Sequence, residues 1–511
     1  MEKKVINYNY IIAERLLYML HKITEKTAIL FCWVYLLITS VWNFVYLIQN
    51  KASVYVFPLE LFCISVFLFI NRLKVSKRIF VILLFIMAFC LKGFVAVRYN
   101  VIPKSDFRLI YNAAIKFAQG DSSFSNTKYF SLWSYQTGIV LYYGFLLKLG
   151  CNIIGLKICN CLFIAGVNVL IYLISDKLVG DKYARFISVM YLFYPATFFL
   201  CSVLTNQHIS NFFILLGIYL YVFRKISTVG NTVLAAVMIA VGNALRPQGI
   251  VIIVAFVIWA MIELFHKNID KEIKIKTAVR ILSFVTVYVL LVKGMSFATQ
   301  ISGVNQKGLG NDFPLYKIVV GLNNETTGYY SNKDAIKLIS IKDTKARNQV
   351  ALRIIKERLA DGDKLKDLMI RKHNKMWVKM DDSIDWGFKN INQSSITLLG
   401  KHIAYENFKI RILKQEKVFY CFIFFMALIG VWIGSKKSEY EKGFIPILLI
   451  TLANFGVYTI IEIQTRYRDF QMMFVFILAA SGVRYMEFFI KRSLEFWHNR
   501  IYLTTVDKTI K

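Results

Sequence analysis

Proline and flexible linker sequence are scarce in this chain. Its 511 residues include only 6 prolines, and neither a tract rich in Gly, Ser or Pro nor an internal repeat interrupts it. Such tracts mark linkers between independent soluble domains, and repeats mark solenoids or propellers. The sequence therefore argues against a string of soluble modules and favours one dominant domain.

Acidic residues are also few, with 31 Asp and Glu against 63 Lys and Arg. In a soluble protein this excess would suggest nucleic acid, but the basic residues cluster in short loops between apolar runs, which is the pattern that orients membrane helices. Nucleic acid is therefore not an expected partner. The 8 cysteines lie almost all inside apolar runs and lack water-facing CxxC spacing, so no disulfide framework follows.

Sequence motifs give little support for a metal site. No HxxE, HExxH or DxD pairing supports a metal strongly, so we assign no metal ligands and leave a need for a divalent ion open.

Long apolar runs occupy most of the chain. Hydrophobic residues make up 57% of it, in repeated runs of about 17 to 25 residues, which is the length that crosses a bilayer as a helix. This pattern predicts an all-α polytopic membrane protein with about twelve transmembrane helices. The predicted spans are 28–48, 53–70, 79–98, 155–175, 186–204, 209–223, 231–245, 250–265, 279–297, 417–433, 443–461 and 468–489.

Five basic connections orient these helices, because such loops remain on the cytoplasmic side. With both termini also cytoplasmic, residues 99–134 lie on the outer side and the apolar stretch 135–149 is an interfacial helix. The alternative is that residues 135–149 also cross the membrane as a helix. The basic connections are 72–78, 177–185, 266–280, 436–442 and 491–500.

The same orientation divides the chain into three parts. Residues 1–297 form an N-terminal membrane domain with the outer loop 99–134, residues 298–416 form an extracytoplasmic segment, and residues 417–511 hold the last transmembrane helices and a cytoplasmic tail. Richness in Lys, Asn and Ile is typical of low-GC bacteria, so we expect a bacterial plasma membrane. The oligomeric state is not predicted.

Charged residues on the predicted outer side converge, and ionisable groups near membrane depth are by default candidates for function. Asp106 begins a predicted amphipathic helix whose apolar face includes Phe107, Ile110, Ala114 and Phe117. We assign Asp106 as a catalytic base. The alternative is a helix-start acid, with Ser105 as the capping residue.

Three arginines share this predicted side, namely Arg246, Arg466 and Arg468, with Glu462 nearby. A guanidinium group binds phosphate through paired hydrogen bonds and stays charged beside lipid, so we assign the three arginines to a lipid phosphate. The alternative is interfacial anchoring, which is common for Arg near helix ends.

Polar and aromatic residues complete the hypothesis as ligands for a sugar or an acceptor. The candidates are Asn206, His208, Asn323 and Tyr467. Asn324, Tyr329, Trp377 and Trp386 are weaker candidates, because tryptophan also anchors at membrane interfaces.

Six stretches together resemble the GT-C superfamily of polytopic glycosyltransferases, in particular the bacterial protein-mannosyltransferase-like and aminoarabinose-transferase-like members. They cover most of the chain. The stretches are SDFRLIYNAAIKFAQGD (105–121), SLWSYQTGIVLYYGFLLKLG (131–150), FYPATFFLCSVLTNQH (193–208), NALRPQG (243–249), GLNNETTGYYSNKD (321–334) and RYRDFQMMFVFILAASG (466–482).

The resemblance implies transfer of a sugar from a polyprenyl-phosphate carrier to a glycan or glycopolymer acceptor on the outer face, with Asp106 matching the family's first-loop acid. Phe107 follows it where protein mannosyltransferases have a second acid, which argues against protein O-mannosylation. Near TNQH (205–208) many members carry an acid that this chain lacks. Spans 28–48 and 53–70 form an additional pair before the family's first helix.

Three other functions stay open. A flippase for lipid-linked oligosaccharides would use outer basic residues to guide a pyrophosphate, but it also predicts repeat symmetry and helices broken near the midplane. A polysaccharide polymerase or ligase would act on a polyprenyl pyrophosphate. A noncatalytic scaffold with a degenerate site would have a similar sequence.

Overall fold

The computed structural model describes residues 2–99, 101–223, 229–265, 270–388, 395–398, 401–434 and 443–509. These residues form α-helices and one β-hairpin, which confirms the all-α polytopic class. In chain order the helices are α1 (Glu2–Gln49), α2 (Val56–Arg72), α3 (Lys77–Arg98), α4 (Asp106–Ala118), α5 (Lys128–Leu132), α6 (Thr137–Lys148), α7 (Ile153–Val179), α8 (Asp181–Leu192), α9 (Pro195–Leu200), α10 (Gln207–Phe223), α11 (Val229–Leu245), α12 (Gly249–Leu264), α13 (Lys271–Ile301), α14 (Pro314–Gly321), α15 (Asn332–Ile339), α16 (Thr344–Ala360), α17 (Gly362–His373), α18 (Asp382–Phe388), α19 (Tyr405–Gly434), α20 (Phe444–Ile460) and α21 (Arg468–Thr509).

Seven stretches in the described part of the chain are long and apolar enough to cross a membrane. Four shorter apolar helices, α10, α11, α12 and α20, have 16 or 17 residues, or about 25 Å of helix rise. The protein is therefore a multi-pass membrane protein. The seven long stretches are Lys22–Gln49, Ser53–Arg72, Lys77–Arg98, Ile153–Val179, Lys271–Ile301, Tyr405–Ile433 and Thr465–Ser493.

One predicted span differs in the structure. Residues 186–204 were expected to form a single crossing, but α8 ends at Leu192 and α9 begins at Pro195. Proline has no backbone N–H and clashes with the preceding helical turn, so it begins a new helix at its first position. The apolar run is therefore two short helices.

The stretch 135–149 contains α6, which has only 12 residues. Its length is about 18 Å, well short of the hydrocarbon core of about 30 Å. α6 packs against α4 in a cluster that includes Ile110, Ala114, Val140 and Tyr143. A helix this short agrees with the predicted interfacial placement.

The largest core cluster lies among the membrane helices, and α19 and α21 pack closely within it. Gly430 and Gly482 lie where these two helices meet, and a Cβ atom at either position would collide with the backbone of the other helix. Small residues permit such close helix contacts in membranes. α2 and α13 instead bury only 11% of their apolar windows, so they lie at the periphery.

Between α13 and α19 the chain forms α14 to α18 and an antiparallel hairpin of β1 (Ser395–Leu398) and β2 (Lys401–Ala404). A separate cluster that includes Phe313, Val319 and Leu338 joins α14, α15 and α16. Asp334 forms a 2.8 Å ion pair with Arg358 that links α15 to α16. These contacts give the connection its own small core.

Candidate functional site

A cavity of about 920 Å³ lies where five interhelical connections meet. These connections follow α3, α9, α11, α13 and α20, whereas the basic connections 72–78 and 177–185 lie at the opposite ends of α3 and α7. Several of the residues that we expected on the outer side gather around one cavity, which we call the site cavity. Its lining includes Asp106, Asn206, Arg246, Glu462, Arg466 and Tyr467.

Asp106 is the first residue of α4 and lines the site cavity half-exposed. Its carboxylate forms no hydrogen bond or ion pair with any residue that the structure describes. Phe107, Ile110 and Ala114 are buried, as the sequence pattern predicted. A buried face on α4 thus fixes the helix and leaves its first side chain in the cavity.

Ser105 does not cap α4, contrary to the sequence-based expectation. Its φ of 51° and ψ of −133° place it in a sparsely populated backbone region for a residue other than glycine. Such conformations cost about 1 to 3 kcal/mol and concentrate at functional sites. The chain therefore enters α4 through a strained residue directly before Asp106.

Arg466 lies among three aromatic rings of the cavity wall. Its guanidinium carbon is 4.7 Å from the ring centroid of Phe107, 5.4 Å from that of Trp386 and 5.5 Å from that of Tyr467. Rings at these distances stabilise a cation and restrict its position. Arg466 has no carboxylate partner among the described residues, so its charge is available to a ligand.

Arg246, the second arginine of the cavity, lies on the ring of Tyr467 beside Arg466. The Arg246 guanidinium carbon lies 4.9 Å from the Tyr467 ring centroid, on which Arg466 also lies. One Nη of Arg246 donates to Asn206 Oδ1 at 3.2 Å, and Asn206 donates to the carbonyl of Leu245 at 2.9 Å. Asn206 thus orients Arg246 at the wall of the cavity.

Gln464 fixes the orientation of Arg466. Arg466 Nε donates to Gln464 Oε1 at 2.7 Å, and Gln464 Nε2 donates to Glu462 Oε1 at 3.1 Å. Glu462 is also ion-paired with Lys317. Because Nε is held by the amide, the two Nη groups of Arg466 remain for a ligand.

The site cavity carries an excess of positive charge. Glu462 and Lys317 neutralise each other. Burial lowers the pKa of Lys317, but Glu462, together with Tyr467 and Tyr135, raises it above its usual value. The rest of the charged lining consists of three cations, Lys128, Arg246 and Arg466, and one carboxylate, Asp106. A cavity with this balance suits an anionic ligand.

Tyr129 lies close to Asp106. Burial raises the pKa of Tyr129 well above its usual value, and the negative charge of Asp106 raises it further. Its hydroxyl therefore stays protonated and accepts a hydrogen bond from Gln136 Nε2 at 3.3 Å. The sequence did not mark Tyr129 or Gln136, because their places on the cavity depend on how the chain between α4 and α6 folds.

Arg468 does not line the site cavity, unlike its neighbour two residues earlier. The side chain is fully buried, and its guanidinium donates to the backbone carbonyls of Met376 and Lys379, the latter at 2.7 Å. Burial raises the pKa of Asp381, and Arg468 opposes that shift. We therefore remove Arg468 from the candidate phosphate ligands.

Two other sequence candidates also lie away from the cavity. His208 is buried with its Nε2 3.2 Å from the carbonyl oxygen of Leu200. Asn323 donates to Asp334 Oδ2 at 2.7 Å and accepts from the Thr326 backbone N–H at 3.1 Å. These bonds fix local loops, so neither residue is positioned to contact a ligand in the site cavity.

The weaker aromatic and amide candidates divide in the same way. Trp386 lines the cavity edge-to-face with Phe107, at 5.3 Å between ring centroids. Trp377 is 1% exposed and packs on Phe455. Asn324 and Tyr329 belong to the loop before α15 and do not line the cavity.

Replacement of Arg468 tests its structural role. Arg468→Met should lower the free energy of unfolding by about 3 to 5 kcal/mol, because it leaves buried carbonyls unbonded and Asp381 without its cation. The thermal midpoint of the detergent-purified protein measures this loss. Arg353→Met on the exposed face of α16 is the matched control. A fully stable Arg468→Met protein would contradict the assignment.

Among the described residues, no group of three or more His, Cys, Asp and Glu side chains is arranged to hold a metal ion.

The middle of the chain is similar to one described family. Residues 158–307 match the family model of the GPI transamidase subunit PIG-U. The match runs from α7 to just beyond α13 and covers less than a third of the chain. It includes Asn206 and Arg246 but neither Asp106 nor Arg466. It agrees with a polytopic membrane architecture and lends no particular support to a bacterial GT-C family.

No curated protein matches the chain.

Proposed function

We propose that the protein is a glycosyltransferase that moves a sugar from a polyprenyl-phosphate carrier to a glycan acceptor on the outer face of the membrane. One observation carries the proposal: Asp106 shares a cavity with Arg246 and Arg466, and none of the three has an ion-pair partner among the residues that the structure describes. A free carboxylate can accept a proton, and two free guanidinium groups can hold a phosphate.

The reaction needs both groups. The acceptor hydroxyl oxygen attacks the anomeric carbon, its proton passes to Asp106, and the bond from that carbon to the phosphate oxygen breaks. The leaving phosphate keeps the electron pair, and Arg246 and Arg466 stabilise its charge. A single displacement of this kind inverts the anomeric configuration. The role of each residue is part of the proposal.

The aromatic surroundings of Arg466 favour a lipid-linked phosphate over a soluble one. Phe107 and Trp386 contact the guanidinium and also line a mainly apolar pocket of about 10 Å³ with Val101, Ile102 and Leu204. An arginine stays charged beside such apolar surface, so a headgroup can bind there while its chain remains in an apolar environment.

The orientation of the cavity gives a prediction. Lys333 on α15 and Lys74 between α2 and α3 are both exposed, and they lie on opposite predicted sides. In a variant without its native cysteines, Lys333→Cys should react with a membrane-impermeant maleimide in intact cells, and Lys74→Cys only after permeabilisation. The reverse pattern would place the site cavity on the cytoplasmic side and contradict the proposed outer-face reaction.

A second candidate is a noncatalytic subunit of a membrane complex that handles a glycolipid. The PIG-U match favours it, since that family is named as a subunit of a GPI transamidase. This candidate has no need of a proton acceptor at Asp106, which lies outside the match. An Asp106 variant therefore separates the two candidates.

The proposal is tested by mass spectrometry of the cell-surface glycans of cells with and without the gene. We expect one sugar substituent to disappear. Accumulation of unpolymerised lipid-linked repeat units would instead indicate a polymerase or ligase, and an unchanged glycan profile would contradict the proposal.

A further inference from the structure

A row of aromatic rings leads away from Asp106 along the site cavity. The negative charge of Asp106 contributes to the raised pKa of Tyr129. Its ring centroid lies 5.3 Å from that of Trp133, which lies 5.8 Å from that of Tyr316. All three residues line the cavity, and Tyr330 lines it as well with 55% of its surface exposed. The rings thus extend from the reacting end of the cavity to an exposed rim.

Amide groups accompany these rings. Asn311 and Asn332 line the cavity beside them. The Oδ1 atom of Asn311 accepts the backbone N–H of Phe313 at 3.1 Å, so its amide N–H groups stay available. Trp133 Nε1 and the Tyr316 hydroxyl are buried without a hydrogen-bond partner among the described residues. Both atoms are closed to solvent, so the groups open to a ligand are the half-exposed ring of Trp133 and the exposed side chains of Tyr330, Asn311 and Asn332.

We propose that this surface, Trp133, Tyr330, Asn311 and Asn332, binds a neutral saccharide chain and presents its end to Asp106. The inference rests on the proposed function and names the acceptor class. Sugar rings offer apolar C–H faces to aromatic rings and hydroxyl groups to amides, and this surface supplies both partners in alternation. We call it the saccharide surface.

The charges near the saccharide surface favour a neutral chain. Lys317 contributes no free charge, because it is paired with Glu462. Lys128 is the remaining lining cation on this side, and it is exposed. Arg246 and Arg466 lie instead at Tyr467 and Phe107. The cavity thus separates an anion-binding part from a part composed of rings and amides.

The elements that form the saccharide surface also distinguish it from a lipid-binding groove. Trp133 follows α5, and the other three residues belong to the connection between α13 and α19, so all lie outside the candidate membrane spans. Tyr135 N–H and Ser134 Oγ donate to the carbonyl of Gly310 at 2.9 and 2.8 Å and join the two parts. A lipid chain there would have to leave the bilayer.

Binding measurements on the purified full-length protein test the inference. The probes are three: the neutral and the anionic glycan fractions released from walls of cells that lack the gene, and a short polyprenyl phosphate. We expect saturable binding of the neutral fraction, weakened about tenfold by Tyr330→Ala or Trp133→Ala, which is the scale of one lost aromatic contact. Affinity for the polyprenyl phosphate should not change.

Two neighbouring substitutions on α15 supply a matched control. Asn332 lines the cavity and Lys333 does not, although both side chains are exposed. Asn332→Ala should weaken glycan binding, and Lys333→Ala should leave it unchanged. Equal binding by all variants, stronger binding of the anionic fraction, or a selective loss of polyprenyl phosphate binding would overturn the inference.

This experiment also separates the inference from the proposed reaction. Neutral glycan that binds through the saccharide surface without any sugar transfer would contradict the glycosyltransferase function and leave the binding site standing. Transfer that does not depend on Trp133, Tyr330 or Asn332 would contradict the binding site alone.

Discussion

Asp106→Asn should lower the rate of sugar transfer by about 100- to 10,000-fold, the usual worth of a positioned proton acceptor. Asparagine keeps the size and much of the hydrogen-bonding capacity of aspartate but cannot take the proton of the acceptor hydroxyl. The variant should fold normally, because the loss of one charge from a first helical turn costs at most about 1 kcal/mol. Turnover of purified protein at matched levels measures the effect.

Ser105 and Glu462 provide the controls for Asp106. The Ser105 side chain makes no capping hydrogen bond, so Ser105→Ala should retain full activity. Glu462→Gln removes the other carboxylate of the cavity, which is already ion-paired with Lys317, and should reduce activity far less than Asp106→Asn. Turnover of Asp106→Asn within about tenfold of the unsubstituted protein would leave Asp106 as a helix-start acid.

Arg466→Lys should reduce transfer by about 10- to 100-fold, the worth of one or two charge-assisted hydrogen bonds. Lysine keeps the positive charge, but it lacks the planar fork and cannot keep one donor on Gln464 while it offers two to a phosphate. Arg246→Lys should act in the same direction, because Asn206 similarly holds one donor of Arg246. Both variants should also raise the KM for the lipid donor.

Replacement of Gln464 tests whether the position of the Arg466 side chain matters apart from its charge. Gln464→Leu leaves Arg466 and its charge in place but removes the amide that holds Nε. We expect a smaller loss than for Arg466→Lys, confined to transfer and donor KM, without a change in thermal stability. Arg353→Lys on α16 is the control for a conservative arginine replacement. Normal donor KM in both cavity arginine variants would mean that they serve only as interfacial anchors.

The sequence identified residues that combine charge with an apolar setting. Asp106, Arg246 and Arg466 stood out because ionisable groups beside membrane spans are costly, and the structure places all three on the same cavity. The connections that carry them could be grouped because basic loops set the helix directions. These inferences used only hydropathy and charge, which a sequence displays directly.

Arg468 shows where such reasoning stops. Arg466 and Arg468 flank one tyrosine and look equivalent in the sequence. In the structure a short 3-10 turn covers Thr465–Tyr467 and α21 begins at Arg468, so the two side chains leave the chain in different directions. Backbone geometry at a helix start decides this, and neither charge nor hydropathy encodes it.

Lys317, Gln464 and Tyr129 could not be predicted for a related reason. Lys317 reaches Glu462 across 145 positions of sequence, and Gln464 matters only because of what surrounds it. The break between α8 and α9 was easier to predict from the sequence, because Pro195 lies inside the predicted span and proline disfavours a continuous helix.

The central claim is that this cavity transfers a sugar from a lipid phosphate. The most direct test uses purified protein in liposomes with polyprenyl-phosphate-linked monosaccharides and wall glycans from cells that lack the gene. Release of polyprenyl phosphate and the anomeric configuration of the product are measured, the latter by NMR. We predict transfer with inversion that is lost in Asp106→Asn. Transfer with retention, or donor that remains intact with every monosaccharide supplied, would contradict the account.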